Sequence, residues 1–204
     1  MEVFFNDLKR QFILNFIEKD RWKLMVTGLE NTLKITIVAA LIGIVIGILL
    51  ASIRSTYDKQ YETLKKHKGF KYYVLSFLNF IAQVYLTVIR GTPVVVQLLI
   101  AFFIIFASAK NGVAIAMLAF GINSGAYVAE IFRGGIMSID NGQFEAGYSL
   151  GFNYFQTMIF IVIPQVLKNV LPMLLNEFIA LLKETSVAGY VAVTDITRAG
   201  NVIR

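Results

Sequence analysis

The sequence predicts an all-α fold, a polytopic bundle of membrane-spanning helices with four spans. Composition is the first reason. Hydrophobic residues make up 57% of the chain, charged residues 16%, and the mean hydropathy is +0.68, whereas soluble domains carry about 25% charged residues. The second reason is a set of apolar runs long enough to cross a bilayer. The chain has no cysteine and one histidine, His67, which excludes thiolate and multi-histidine metal centres. We therefore expect neither a metal nor a cofactor.

The first span is predicted at residues 33–53, a run of 21 residues with one charge at its edge. At about 1.5 Å per residue this run is roughly 30 Å long, the thickness of the hydrocarbon core. Residues 1–30 mix charges with large apolar side chains such as Phe12 and Trp22, a pattern typical of an amphipathic helix on the membrane surface. We therefore divide the chain into this interfacial segment and a transmembrane domain over residues 31–204.

The second apolar region, residues 72–109, is interrupted at residues 90–93 (Arg-Gly-Thr-Pro). Thr92 is a favourable N-cap residue and Pro93 suits the first position of a helix, so a new helix is predicted to begin there. We expect a tilted interfacial helix up to about Ile89, followed by one span from the break to residue 109. Two full spans in this region are the alternative.

The third span is predicted at residues 113–132, and the last apolar stretch runs from about residue 171 to residue 193. Both contain polar or charged residues near their centres, and such groups cost several kcal/mol in hydrocarbon unless they are paired or hydrated. We therefore place both helices in the interior of the bundle. Glu130 and Arg133 lie three apart and are expected to form an ion pair at a helix end. Arg90 is expected to anchor the interface or to pair with a carboxylate.

Two glycine pairs with the spacing small-xxx-small occur in the spans, Gly43 with Gly47 and Gly121 with Gly125. This spacing allows another helix to approach closely, although Gly43 and Gly47 would also fit a helix that simply faces lipid. Residues 54–71 carry six Lys and Arg against two acids, which places them in the cytoplasm by the positive-inside rule. Four spans then put residues 110–112 and the C-terminal tail outside, and residues 134–170 inside.

The predicted cytoplasmic segment at residues 134–170 contains a spaced motif. Its positions are occupied by Glu145, Ala146, Gly147, Gly151, Ile161 and Pro164. The spacing resembles the EAA motif of permease subunits of ABC importers, E-A-A-x3-G-x9-I-x-L-P. Gly147 replaces the second alanine of that motif and Ile163 replaces its leucine.

We predict a short helix over residues 143–150, ended by Gly151 as its cap. The resemblance implies that this coupling helix, near residues 142–151, seats in a cleft of an ATPase subunit and transmits its closure. A surface helix that merely connects two spans is the alternative. The chain has no GxxxxGK[ST] phosphate-binding loop. It is therefore predicted not to be an enzyme itself, and the resemblance assigns ATP hydrolysis to a separate chain.

Three further segments, residues 90–97, 123–135 and 176–186, resemble the polar amino acid branch of these permeases, of the histidine and glutamine type. The resemblance covers roughly residues 25–204 and implies a type I importer transmembrane domain that carries polar amino acids. Members of this branch usually have a fifth span after the segment that ends here near residue 204, so we expect that the sequence is truncated.

An amino acid zwitterion needs one site for its carboxylate and one for its ammonium group, and transporters place such sites near the membrane midplane. The predicted pathway residues are Asn123, Ser124, Asn176, Glu177, Lys183, Glu184, Thr185 and Ser186. Glu177 would meet the ammonium group, and Lys183 or the hydroxyl groups would meet the carboxylate. Alternatively, Lys183 and Glu184 pair with neighbouring spans and hold the bundle together.

The resemblance also implies partners. These are two ABC ATPase subunits, a second permease copy or a homologue, an extracytoplasmic solute-binding protein and membrane lipid, but no nucleic acid. We expect a multi-pass protein of the cytoplasmic membrane of a prokaryote. Which amino acid is carried, and whether the membrane unit is a homodimer or a heterodimer, stay open. The competing hypothesis is a channel-forming or scaffolding membrane protein that needs no ATPase.

Overall fold

The computed structural model describes residues 1–66, 69–109 and 111–203, so His67 and part of the predicted turn at residues 110–112 lie outside the description. Every regular element among these residues is a helix. In chain order they are α1 (Glu2–Phe12, continued by a wider turn over Ile13–Glu18), α2 (Trp22–Lys66), α3 (Phe70–Gly91), α4 (Val94–Ile100, continued over Ala101–Ile105), α5 (Gly112–Met137), α6 (Asn141–Ser149), α7 (Tyr154–Thr157, continued over Met158–Val162), α8 (Ile163–Glu184, continued as a 3₁₀ helix over Thr185–Val191) and α9 (Ile196–Ile203).

Four helical stretches are long and apolar enough to cross a membrane, Trp22–Tyr61, Phe70–Gly91, Gly112–Met137 and Tyr154–Val191. Their number agrees with the prediction, but three of them, the first, the second and the last, begin well before the predicted residue. The first begins well before residue 33, so the predicted boundary between residues 30 and 31 falls within α2. The last begins at Tyr154 rather than near residue 171. Before residue 33, polar residues continue the helix beyond its apolar run. Before residue 171, the helix already includes the apolar residues 158–163 and continues past Pro164, which occupies a first-turn position that proline tolerates.

The helices α2 and α5 pack at the centre of the bundle through the two predicted glycine pairs. A Cβ atom added to Gly47 would lie 2.6 Å from Val128 Cβ, and one added to Gly121 would lie 2.8 Å from Ile42 Cβ. Real Cβ atoms cannot approach so closely, so the absence of a side chain sets the distance between these helices. The predicted close approach is confirmed. Gly43 and Gly47 face α5 rather than lipid.

The chain breaks between α3 and α4, as the sequence predicts, but Thr92 does not cap α4. Its hydroxyl donates a hydrogen bond to the carbonyl oxygen of Val88 at 2.8 Å, and Pro93 occupies the N-cap position in an extended conformation. The side chain of Gln97 reaches back across the break, and its Nε2 atom donates to the carbonyl oxygen of Ile89 at 2.7 Å. The break is thus bridged by an amide side chain, and the capping prediction is wrong because the Thr92 hydroxyl is already bonded within α3.

The second crossing also differs from the expected surface helix followed by one span. Helix α3 has 22 residues and its last turns lie against the middle of α5, where the Tyr85 hydroxyl donates to the carbonyl oxygen of Ile122. Helix α4 then carries the chain to the other end of α5, where Leu98 shares an apolar cluster with Ala116. The crossing is therefore made by α3 and α4 together, as one broken helix.

The remaining elements connect the two ends of the bundle. Helix α8 runs back along α5, so that Gly135 contacts Val170 near one end and Ser124 contacts Glu177 further along. Helix α6 connects these two helices at the end where α5 finishes. Helix α9 lies at the opposite end, where a Cβ atom on Gly28 of α2 would be 2.9 Å from Ala199 Cβ. Each end of the bundle therefore carries a distinct short helix.

Candidate functional site: the coupling helix and the polar residues between the spans

Helix α6 is closed at both ends by local interactions. The side chain of Asp140 accepts a hydrogen bond from the backbone N–H of Gly142 at 2.6 Å, which satisfies a free donor at the start of the helix. At the other end Gly151 has φ +81°, a conformation that favours glycine, and the N–H of Phe152 donates to the carbonyl oxygen of Gly147 at 3.0 Å. The helix predicted over residues 143–150 with Gly151 after it is therefore present, and it begins two residues earlier.

One face of α6 is packed against the elements around it. A Cβ atom on Gly147 would lie 2.6 Å from Thr157 Oγ1, so the departure from the EAA motif at this position has a physical reason. The Phe144 ring is buried and stacks on Tyr154 with 6.4 Å between ring centroids. From α2, the Lys59 ammonium group donates to Asn141 Oδ1 at 2.7 Å. Helix α6 is thus tied to α7 and to the end of α2.

The other face of α6 is open. Glu145, Ala146, Tyr148 and Leu150 are exposed, the last two by 48% and 72%. Of the two remaining motif residues, Ile161 lies in the continuation of α7 and is half-buried, and Pro164 lies in the first turn of α8 and is exposed. Gln165, in the turn that contains Pro164, donates from its amide to Gln143 Oε1 at 3.1 Å. The predicted coupling residues therefore form one protruding unit made of α6, the end of α7 and the first turn of α8.

The predicted pathway residues meet where α5 faces α8. The Ser124 hydroxyl donates to Glu177 Oε1 at 2.9 Å. The neighbouring amide of Asn123 donates to Gln97 Oε1 at 3.1 Å, which links this site to the break before α4. Asn123 and Ser124 are buried, whereas Glu177 is half-buried. The structure thus brings Asn123, Ser124 and Glu177 together in one polar site, which also includes Gln97, a residue that sequence reasoning did not select.

The other five predicted pathway residues are not gathered at this site. Asn176, Lys183 and Ser186 are exposed and Glu184 is half-buried. Thr185 is buried, and its hydroxyl donates to the carbonyl oxygen of Leu182 at 2.7 Å. Lys183 and Glu184 have no ion-pair partner in the part of the chain that the structure describes. Within this chain, the described residues therefore do not form the alternative ion pairs.

A charged cluster lies between α2, α3 and α5. The predicted pair is present, with Arg133 Nε 3.2 Å from Glu130 Oε2, and Arg90 is a partner of Glu130 at 3.8 Å. Sequence reasoning missed two members. Arg54 Nη1 lies 3.1 Å from Glu130 Oε1, and Asp58 Oδ2 lies 3.2 Å from Arg133 Nη1. Their spacing of four residues places both on the same face of α2, and this was the available signal.

Comparison with known proteins places the chain among transport proteins. The family model described as "Binding-protein-dependent transport system inner membrane component" matches residues 67–201. The chain is 36% identical over 185 residues to the glutamine transport system permease protein GlnP of Escherichia coli (strain K12), covering 88% of this chain and 76% of that protein. It is 30% identical over 191 residues to the L-cystine transport system permease protein TcyB of Bacillus subtilis (strain 168), covering 93% and 74%.

Two solved structures share the fold. One, described as the crystal structure of an amino acid ABC transporter with histidines, has a TM-score of 0.73 and 36% identity, and covers 89% of this chain and 78% of that one. The other, an inward-facing conformation of the MetNI methionine ABC transporter, has a TM-score of 0.74, and covers 91% and 82%. Its 19% identity makes it a match of fold alone.

Proposed function

Because the chain belongs to the family of binding-protein-dependent transport system inner membrane components, and is thus the permease subunit of an ABC importer in a bacterial cytoplasmic membrane, we propose that it conducts a polar amino acid into the cell. The relatives support this substrate class, since those above are named for glutamine and cystine and a third, 37% identical, for arginine. These substrates share an α-ammonium and an α-carboxylate group.

The polar site between α5 and α8 supports the proposed path. Glu177 is half-buried and accepts a hydrogen bond from the neutral Ser124 hydroxyl, and the described residues offer it no cationic partner. A carboxylate in a membrane bundle needs a compensating charge or water, and the ammonium group of a passing amino acid supplies one. In this proposal Asn123 and Asn176 provide amides along the path. Either Lys183 or Ser186, both of which are exposed, receives the carboxylate near Glu184, whereas the hydroxyl of Thr185 is already bonded to Leu182.

The observation that carries the transport proposal is the protruding unit around α6. It is capped at both ends, fixed to the bundle through Gly147 and Thr157, and exposed on its outer face at Glu145. A rigid element of this kind can pass a displacement of a partner on to α7 and α2. We propose that this partner is an ATPase subunit, a separate chain that hydrolyses ATP. In this proposal Ala146 and Gly151 maintain the conformation of the surface that the ATPase contacts.

An importer of this family works with ATPase and solute-binding protein partners. We propose a membrane unit of two permease chains, two ATPases docked on the α6 helices and a binding protein on the opposite face. The N-terminal segment is proposed to lie on the membrane surface, because Phe4, Phe5 and Phe12 of α1 are exposed. Its boundary with the transport domain then falls at the turn before Trp22, at residues 19–21, rather than at residue 30.

A pair of valine substitutions tests the coupling role. A Cβ atom at Gly151 or at Gly134 would meet no other atom within 4 Å, but only Gly151 has a positive φ. Gly151→Val must therefore change the backbone at the end of α6, because a β-branched residue is rarely tolerated there. Gly134→Val keeps a helical backbone near the same end of the bundle and serves as the control.

The readouts are membrane insertion, copurification of the ATPase in mild detergent and uptake by the reconstituted importer. We expect both variants to insert, Gly134→Val to keep at least half of the wild-type uptake, and Gly151→Val to lose about tenfold or more, equivalent to about 1.4 kcal/mol. If Gly151→Val retained both ATPase association and uptake, the coupling role of α6 would be wrong. A preparation that never contains an ATPase would favour the channel or scaffold hypothesis.

A further inference from the structure

The charged cluster between α2, α3 and α5 does not balance its own charge. The three guanidinium groups of Arg54, Arg90 and Arg133 face the two carboxylates of Glu130 and Asp58, which leaves one positive charge in excess. Arg90 is the least neutralised, because its closest carboxylate oxygen is 3.8 Å away and 45% of its side chain is exposed. In a membrane bundle an uncompensated charge is unfavourable, so the cluster is suited to hold one anion.

A cavity of about 510 Å³ adjoins this excess charge. It is lined by Arg54, Gln83, Leu86, Thr87, Arg90, Gly91 and Glu130. The side chains of Gln83 and Thr87 can donate hydrogen bonds, as can the guanidinium groups of the two arginines. Several donors around a net positive charge match the oxygen atoms of a phosphate group.

The depth of the cavity indicates where such a phosphate would come from. Arg54 directly follows the apolar run at residues 33–53, and Glu130 lies near the end of the run at residues 113–132, so their charged groups meet at the edge of the hydrocarbon core, the depth of lipid head groups. The Arg90 side chain reaches this depth from the last turn of α3, as its 3.8 Å distance to Glu130 shows. The surface of α3 beside the cavity is apolar and open, since Val84 and Val88 are exposed by 46% and 54%. An acyl chain can lie against these two residues while its head group enters the cavity.

We propose that the cavity between α2, α3 and α5 binds the phosphate of one anionic phospholipid, with Arg90 as its principal contact. Basic pockets between transmembrane helices bind lipid head groups in this manner. The bound phosphate neutralises the excess charge and joins α3 to the pair formed by Arg54 and Glu130. This site does not depend on the identity of the transported substrate, so the two proposals can fail separately.

Native mass spectrometry of the purified chain in mild detergent tests the proposal. The probes are phosphatidylglycerol and phosphatidylcholine with the same acyl chains, each titrated against wild type, Arg90→Gln and Lys71→Gln. Lys71 is exposed at the same end of the bundle but does not line the cavity, so it controls for the loss of one charge. A neutral variant, Gln83→Leu, removes one cavity donor and provides a second test if Arg90→Gln does not fold.

We expect one phosphatidylglycerol to bind at least tenfold more tightly than phosphatidylcholine. Arg90→Gln should weaken that binding about tenfold or more, and Gln83→Leu about fivefold. Lys71→Gln should weaken it by less than about fivefold, as for a surface charge. Equal losses in Arg90→Gln and Lys71→Gln, with none in Gln83→Leu, would overturn the site. Displacement of the lipid by millimolar inorganic phosphate would show that the site takes free phosphate, which would overturn the lipid as ligand.

Discussion

Two carboxylates on facing parts of this bundle have opposite surroundings. Glu130 on α5 lies within 3.2 Å of nitrogen atoms of Arg54 and Arg133 and within 3.8 Å of Arg90. Glu177 on α8 accepts one hydrogen bond, from the Ser124 hydroxyl, and has no cationic neighbour among the described residues. The first carboxylate is satisfied within the chain, whereas the second is left able to bind a cation from outside it.

The helices that carry these two carboxylates also differ in how much of their surface is buried within the chain. In the most apolar 18-residue window of α5, 61% of the residues are buried within the chain, against 17% in the corresponding window of the stretch Tyr154–Val191, which contains α8. The ion-pair cluster of Glu130 is thus centred on the most closely packed of the four spans, whereas Glu177 lies on a span that is mostly exposed within this chain. This contrast separates the part of the bundle that maintains the fold from the part that we assign to transport.

The largest difference in stability is expected between the two variants in which one of these carboxylates is neutralised. Glu130→Gln leaves the guanidinium groups of Arg54 and Arg90 without a carboxylate partner and should lower the free energy of unfolding by about 3 kcal/mol. Glu177→Gln keeps an acceptor for Ser124 and should change it by less than about 1 kcal/mol. Reversible unfolding in mixed micelles measures both. Equal losses in the two variants would remove the distinction between a structural and a functional carboxylate.

A smaller difference is expected between two glycines of α2. A Cβ atom on Gly47 would lie 2.6 Å from Val128 Cβ and 3.0 Å from the backbone nitrogen of Ala129, whereas one on Gly43 would lie 3.0 Å from Ser124 Cβ and 3.3 Å from the backbone nitrogen of Gly125. The overlap is larger at Gly47, so α2 and α5 must separate further there. Gly47→Ala should therefore lower the free energy of unfolding by about 2 kcal/mol and Gly43→Ala by about 1 kcal/mol.

The same unfolding assay measures this pair, and uptake separates the two positions further. Gly43→Ala should reduce uptake more than its small loss of stability explains, because it displaces the hydroxyl that contacts Glu177. If Gly43→Ala were the more destabilising of the two, the packing next to Glu177 would be as rigid as that next to Glu130.

The smallest effect is expected from Ser124→Ala, which removes the hydroxyl that contacts Glu177. The free energy of unfolding should fall by about 1 kcal/mol or less, since Glu177 remains half-buried and can be hydrated. Thermal unfolding of the purified variant, compared with wild type in the same detergent, measures this loss. A loss as large as that of Glu130→Gln would mean that Glu177 depends on Ser124 for its place in the fold.

The number of spans and the helix around Glu145 could be predicted from the sequence because their signals are local. The length of an apolar run sets a crossing, and the glycine at residue 151 ends a short helix through its own backbone conformation. Spaced glycines within the first and third spans likewise indicated that these helices pack closely. What they pack against was fixed only by the structure, in which the two pairs face each other.

The remaining features depend on pairs of residues that are distant in the chain. Arg54 and Glu130 are separated by 76 residues, and neither residue's neighbours indicate the other. The contact of Gly147 with Thr157 needs the turn between α6 and α7 to be known. Thr92 is a residue type that commonly caps helices. Its hydroxyl instead donates a hydrogen bond to Val88 within α3 and accepts one from Gln97 across the break. A local sequence pattern does not show which of several possible partners a side chain will bind.

The most direct test of the central claim is uptake by the reconstituted importer with Glu177→Gln, measured with its ATPase and loaded binding protein. If Glu177 receives the ammonium group of the passing amino acid, uptake should fall about tenfold or more while the free energy of unfolding and ATPase copurification stay at wild-type values. Wild-type uptake in this variant would contradict the assignment and place the path of the substrate elsewhere in the bundle.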